Sequence, residues 1–114
     1  MINFITEGRS LWDVEKAYFC MIVQVHRDKK EVARVLEVSR ANVYLHLYKW
    51  EADPHLLELV QEVPYMPQWL FAYFFMQASV DWWGNKRTAA KHLRISRITL
   101  ANKLKKVEQR LNLR

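Results

Sequence analysis

Residues 85–111 gather side chains whose types suit recognition of a nucleic acid. Arg97, with its fork of parallel donors, matches the two acceptors on a guanine edge, and Asn102, with one donor and one acceptor, matches adenine. Lys91, Arg94, Lys103, Lys105 and Lys106 surround them as charges that position a protein on phosphates without reading sequence. A thinner set stands upstream, where Arg40, Asn42, His46 and Lys49 are interleaved with Tyr44, Leu45 and Tyr48. Taken alone, a run of lysines reads as a solvated helix face, so the spacing has to decide.

Other chemistry has little to stand on. His26, His46, His55 and His92 form no HxxH or HExxH spacing, and Cys20 is the single cysteine, without a second ligand at metal-binding distance in sequence. Two glycines leave no loop able to cradle a phosphate, and the carboxylates are scattered. The expectation is no enzyme, no metal and no cofactor. Cys20 reads as a small core residue on the apolar face of the first helix.

Charge is distributed unevenly. Residues 1–53 carry 8 Lys/Arg against 8 Asp/Glu, residues 54–83 carry none against 3, and residues 84–114 carry 10 against 1. The net +6 of the chain therefore lies wholly in a last stretch of +9. A basic stretch that keeps helical apolar spacing is the footprint of a nucleic-acid-binding element.

The elements that would hold these residues follow from composition and caps. The 114 residues are 51% apolar, with 5 Trp, 5 Tyr and 5 Phe but only 2 Gly and 3 Pro, which excludes general disorder and argues for helices over hairpins. Ser10 with Asp13 resembles a capping box before a helix over 11–26, and Asp28 opens a short one over 29–36. Ser39 caps a third from Arg40 to about Glu51, and Asp53-Pro54 starts a fourth over 54–62, ended by Pro64 and Pro67. The nearly continuous apolar run 67–83 is shorter than the roughly 20 residues of a membrane span and includes Gln77 and Asp81, so it reads as a buried helix or a dimer face. Asn85 caps a helix to Leu93, and Ser96 caps a last one from Arg97 to about Leu111. One unpaired cysteine and the absence of a leader pattern at the N-terminus point to the cytoplasm.

Shifting the chain by 57 positions reveals a repeat. Residues 28–51, DKKEVARVLEVSRANVYLHLYKWE, lie over residues 85–108, NKRTAAKHLRISRITLANKLKKVE, without a gap and with 8 of 24 positions identical. The identities include Ala33/Ala90, Leu36/Leu93, Ser39/Ser96, Arg40/Arg97 and Leu47/Leu104. Each copy reads as a short helix, a three-residue turn and a second helix, with a longer helix in front. Alanine stands where the two helices cross closely, Val38 or Ile95 plugs the angle, and Val43/Leu100 with Leu47/Leu104 forms the inner stripe. Ser39 and Ser96 leave the free N–H groups of the second helix pointing outward.

Residues 85–107 are similar to the Fis-type helix-turn-helix, found in the nucleoid protein Fis and at the C-terminus of NtrC-class transcription activators. The similarity lies in Gly84-Asn85, Ala89-Ala90, the run Ile95-Ser96-Arg97-x-Thr99-Leu100 and the Lys103-Leu104-Lys105 ending. It covers about a fifth of the chain, and residues 28–51 cover another fifth more weakly. The resemblance implies a bacterial or phage protein that docks its second helix in the major groove and works as a dimer. By position it places Arg97, Thr99, Asn102 and Lys103 at base and phosphate contacts, with Asn85 and Arg87 on the DNA backbone. Two departures stand out: Glu37 and Arg94 occupy the turn position where the family usually has glycine, and Ala101 replaces a residue that is often basic.

The sequence therefore predicts an all-α protein of about seven helices with a duplicated helix-turn-helix. Residues 1–53 hold the first, divergent copy, residues 54–66 form a Pro-punctuated link, and residues 67–114 hold the basic copy. The expected function is sequence-specific binding of double-stranded DNA in transcription regulation at the nucleoid, as a homodimer and without a membrane. The DNA-contacting set is Asn85, Arg87, Arg97, Thr99, Asn102, Lys103 and Lys106, with Arg40 and Asn42 in the first copy. With no ATPase segment before the motif, a complete NtrC-class activator is not expected. The rivals are an anti-activator or adaptor that uses the same fold to bind a protein through the first copy, and a Fis-like bender of DNA.

Overall fold

The computed structural model describes residues 5, 7–26, 28–47 and 50–112. Among them lie seven helices and no strand: α1 (Leu11–Val25), α2 (Lys29–Leu36), α3 (Arg40–Leu47), α4 (Pro54–Val60), α5 (Gln68–Trp83), α6 (Lys86–Leu93) and α7 (Arg97–Asn112). None of them is long and apolar enough to cross a membrane. Two ends fall short of their predicted positions. The third helix is described to Leu47, with Tyr48 and Lys49 outside the described residues. Trp50 still donates its N–H to the His46 carbonyl at 3.0 Å, but Asp53, next to Pro54, has left the helical region because the proline ring crowds it. The fourth helix stops at Val60, where a turn closed by the Val63 N–H on the Val60 carbonyl precedes Pro64.

The chain divides into two compact units, one of Asp13–Gln68 and one of Met1–Trp12 with Trp69–Arg114. Each unit carries one copy of the repeat. In the first, α1 turns Val14, Ala17, Tyr18, Met21 and Ile22 inward at helical spacing, and Phe19 meets the rings of His46 and Trp50 edge-on at 6.0 and 5.0 Å. Tyr18 is fully buried, and its hydroxyl ties down the link after α4: it accepts the Met66 N–H at 2.8 Å and donates to the Met66 carbonyl. Burial pushes the phenol above its ordinary value of 10.0. Replacing Tyr18 by Phe is expected to cost about 1–3 kcal/mol, because two part-buried hydrogen bonds to Met66, each worth about 0.5–1.5 kcal/mol, are lost. The folded state holds the neutral phenol, so this contribution is complete below pH 10 and is lost as pH rises through the raised value. Urea midpoints measured from about pH 8 to 11 should fall for the native chain above the ordinary phenol value, with that component missing in Tyr18→Phe.

In the second unit α5 buries Phe71, Ala72, Phe75, Met76 and Ser79, while Phe74 and Trp82 remain exposed. The buried Ser79 hydroxyl is satisfied by donating to the Phe75 carbonyl at 2.8 Å. The two ends of α5 grip the motif that follows. Trp83 stacks on His92 of α6 with ring centroids 3.7 Å apart and planes 6° apart, and the Arg110 guanidinium of α7 lies 3.9 Å over the Trp69 ring. Three helices are thereby held as one body.

The duplication extends to individual hydrogen bonds. Asp28 and Asn85 cap the first helices, their side chains accepting from Lys30 and Thr88 at 2.9 and 2.8 Å. Both helices close in the same way: Val38 and Ile95 donate to the Ala33 and Ala90 carbonyls at 3.1 Å, and Glu37 and Arg94 donate to Arg34 and Lys91 at 3.3 Å. This paired closure is a Schellman motif, which needs a left-handed residue at its corner. Glu37 and Arg94 supply it at φ 53° and 60°. A side chain in this region costs about 1–2 kcal/mol that glycine does not incur, partly offset by the greater freedom of glycine in the unfolded chain. Glu37→Gly and Arg94→Gly are each expected to stabilise the fold by about 1 kcal/mol, read as a raised thermal midpoint at unchanged helicity.

Candidate nucleic-acid interface

The turn orients the second helix of each motif. Ser96 sits at the start of α7, where its hydroxyl accepts the Thr99 N–H at 3.0 Å and donates to the Thr99 hydroxyl at 2.8 Å. Leu100 and Leu104 are buried and Val107 nearly so, a spacing of four and three that seats one face of α7. The opposite face is therefore presented to solvent by geometry, not by composition alone. Ile98, Asn102 and Lys105 run along it at intervals of four and three, with Arg97 at its open end.

The starts of α6 and α7 line one shallow, open groove of about 960 Å3. Asn85, Lys86, Arg87 and Thr88 line one side, and Arg97, Ile98, Ala101 and Asn102 the other. No carboxylate is among these eight residues. Two helices thus aim their N-terminal ends, with partial positive charge and free N–H groups, into a groove that already carries Lys86, Arg87 and Arg97. Such a groove favours an anion at its rim and hydrogen-bonding base edges at its floor.

Four of the residues singled out from sequence meet in this groove: Asn85, Arg87, Arg97 and Asn102. Three do not line it. Thr99 is half-buried and its hydroxyl is engaged with Ser96, so its first role is in the cap. Lys103 and Lys106 are exposed on the flank of α7, outside the groove. Lys91, Arg94 and Lys105 are exposed as well. Sequence reasoning missed Lys86 and Thr88, whose place in the groove depends on how α6 meets α7, and Ile98, whose type suggests a core residue. The available signal for Ile98 was its register: Leu100, Leu104 and Val107 define an inner stripe that excludes it.

The first copy keeps the frame and changes the surface. Ser39 accepts the Asn42 N–H at 3.1 Å as Ser96 does for Thr99, and Arg40 and Asn42 are exposed. Tyr44 and Leu45, at the positions of Ala101 and Asn102, are 52% and 53% exposed. Glu31 holds the Arg34 guanidinium at 2.6 Å, where the second copy has Thr88 and Lys91. That pairing draws the Glu31 carboxyl below its ordinary value and raises Arg34, so one cation of this face is already neutralised. Cys20, expected in the core, is instead half-buried and donates to the Trp50 carbonyl at 3.8 Å. Burial raises its pKa and keeps it a poorly nucleophilic thiol. It edges a cavity of about 150 Å3 with Phe19, His46 and Trp50, too small for a drug-sized ligand. Among the described residues no three His, Cys, Asp or Glu come together as a metal site.

Among the described residues the protein is all-helical, in two units that each join two helices through a three-residue turn. No protein-family model, curated protein or solved structure matches the chain.

Proposed function

We propose that this protein is a sequence-specific DNA-binding regulator of transcription that places α7 in the major groove of double-stranded DNA. The observation that carries this reading is the carboxylate-free groove at the paired N-termini of α6 and α7, with Asn85, Arg87, Arg97 and Asn102 converging on it. Arg97 takes a guanine and Asn102 an adenine, while Lys103, Lys106 and the start of α6 hold phosphates. The similarity of residues 85–107 to the Fis-type motif supports the same docking, as does the +9 charge of residues 84–114. Action at the nucleoid, and pairing of two chains through the exposed Phe74 and Trp82 of α5, belong to this reading.

A second reading is favoured by one observation, the exposed Tyr44 and Leu45 on α3. It makes the first copy a protein-contact surface, and the chain an adaptor that pairs with a regulator. The test is fluorescence anisotropy of a labelled mixed-sequence duplex across a salt series. Affinity that falls steeply with salt is the expected result, and a folded protein that binds no duplex at low salt would leave the adaptor.

A further inference from the structure

Ile98 is 70% exposed, more than any other large apolar side chain among the described residues. A single exposed isoleucine is unremarkable on a protein surface. This one lines a groove together with Ala101 and six polar or basic residues, Arg97 and Asn102 among them. Its χ1 is restricted in a helix, so it can bury apolar surface at small entropic cost. Along the major groove the apolar group displayed by the bases is the 5-methyl of thymine.

We propose that Ile98 reads a thymine methyl group next to the guanine taken by Arg97, an inference that rests on the DNA-binding reading above. Asn102 stands four residues on, on the same face, and Arg97 lines the same groove from the start of the helix, so a guanidinium, a branched alkyl and an amide edge one short strip of that groove. Ala101 adds a methyl group to the floor of the groove beside Ile98. The first copy lacks this strip. Ala41, Tyr44 and Leu45 stand at the positions of Ile98, Ala101 and Asn102, so preference for a thymine in this setting belongs to the second copy.

The contact can be tested one methyl at a time. Duplexes enriched from a randomised pool by the full chain would be remade with each thymine replaced singly by uracil, which removes the methyl and keeps every hydrogen-bonding group. Anisotropy titrations would compare the native chain with Ile98→Ala, whose fold is checked by circular dichroism. The expected result is a loss of about fourfold on uracil at one or two thymines neighbouring a guanine, and equal affinity of Ile98→Ala for both duplexes. Indifference of the native chain to uracil at every position overturns the proposal and leaves DNA binding standing. A uracil penalty that persists in Ile98→Ala assigns the methyl to another side chain and overturns it too. Failure to enrich any duplex, with no binding at low salt, removes the DNA reading itself and this inference with it.

Discussion

Arg97→Ala is expected to weaken binding to an enriched duplex by about 1–3 kcal/mol, while Arg40→Ala changes it by less than about 0.5 kcal/mol. The two arginines occupy equivalent positions at the starts of α7 and α3, and both are exposed. Their neighbours differ. Arg97 shares its groove with Asn85, Lys86, Arg87 and Asn102, whereas Arg40 is followed along its helix by Ala41, Tyr44 and Leu45. Lys103→Ala and Lys106→Ala should behave in a third way, lowering affinity for all duplexes alike and reducing the salt slope by about 0.9 each. Titrations of the four variants at several salt concentrations separate base reading from phosphate holding. Equal losses for Arg40 and Arg97 would make both copies readers of DNA, and no loss for either would remove the DNA reading.

This asymmetry locates the divergence of the two copies. Their turns close with the same hydrogen bonds and their capping residues stand at the same positions, so the pressure common to both is on the frame. Their outer faces have parted at several residues, among them Glu31 against Thr88, Arg34 against Lys91, Ala41 against Ile98, Tyr44 against Ala101 and Leu45 against Asn102. Glu31 pairs with the Arg34 guanidinium, and Leu45 stands where the second copy has the Asn102 amide. Tyr44 and Leu45 are apolar side chains more than half exposed, which fits a face made to meet protein.

Local chemistry explains what the sequence revealed. Helix starts were readable because Asp28, Ser39, Asp53, Asn85 and Ser96 act on N–H groups two or three residues away, within the span of a motif. The repeat was readable because Ala33/Ala90 and Leu36/Leu93 face inward in both copies. The strained corner at Glu37 and Arg94 followed from a missing glycine in a turn that requires positive φ. Tyr18 is different: helical spacing can place it on the inward stripe of α1, but its partner Met66 is 48 residues away. Trp83 on His92 and Arg110 on Trp69 are likewise tertiary facts, set by the path of α5. The groove itself needs the angle between α6 and α7, which periodicity along either helix does not contain.

The largest expected effect on stability comes from Leu100, the side chain opposite the reading face of α7. Leu100 is fully buried, and Leu100→Ala is expected to cost about 2–5 kcal/mol through lost apolar burial and the cavity left behind. Against a typical total of about 5–15 kcal/mol, that is enough to show as a large shift in the urea midpoint. Val43 holds the same place in α3, also fully buried, and Val43→Ala should cost less because it removes one carbon fewer, worth about 0.8 kcal/mol. Leu111, on the same stripe near the end of α7 but 36% exposed, provides the comparison: Leu111→Ala should cost less than either. Denaturant curves followed by helix ellipticity test the order Leu100, Val43, Leu111. A cost under about 1 kcal/mol for Leu100→Ala would mean that α7 is not seated by its inner stripe. In that case the outward direction of Arg97, Ile98 and Asn102, which follows from the burial of Leu100, would lose its physical basis.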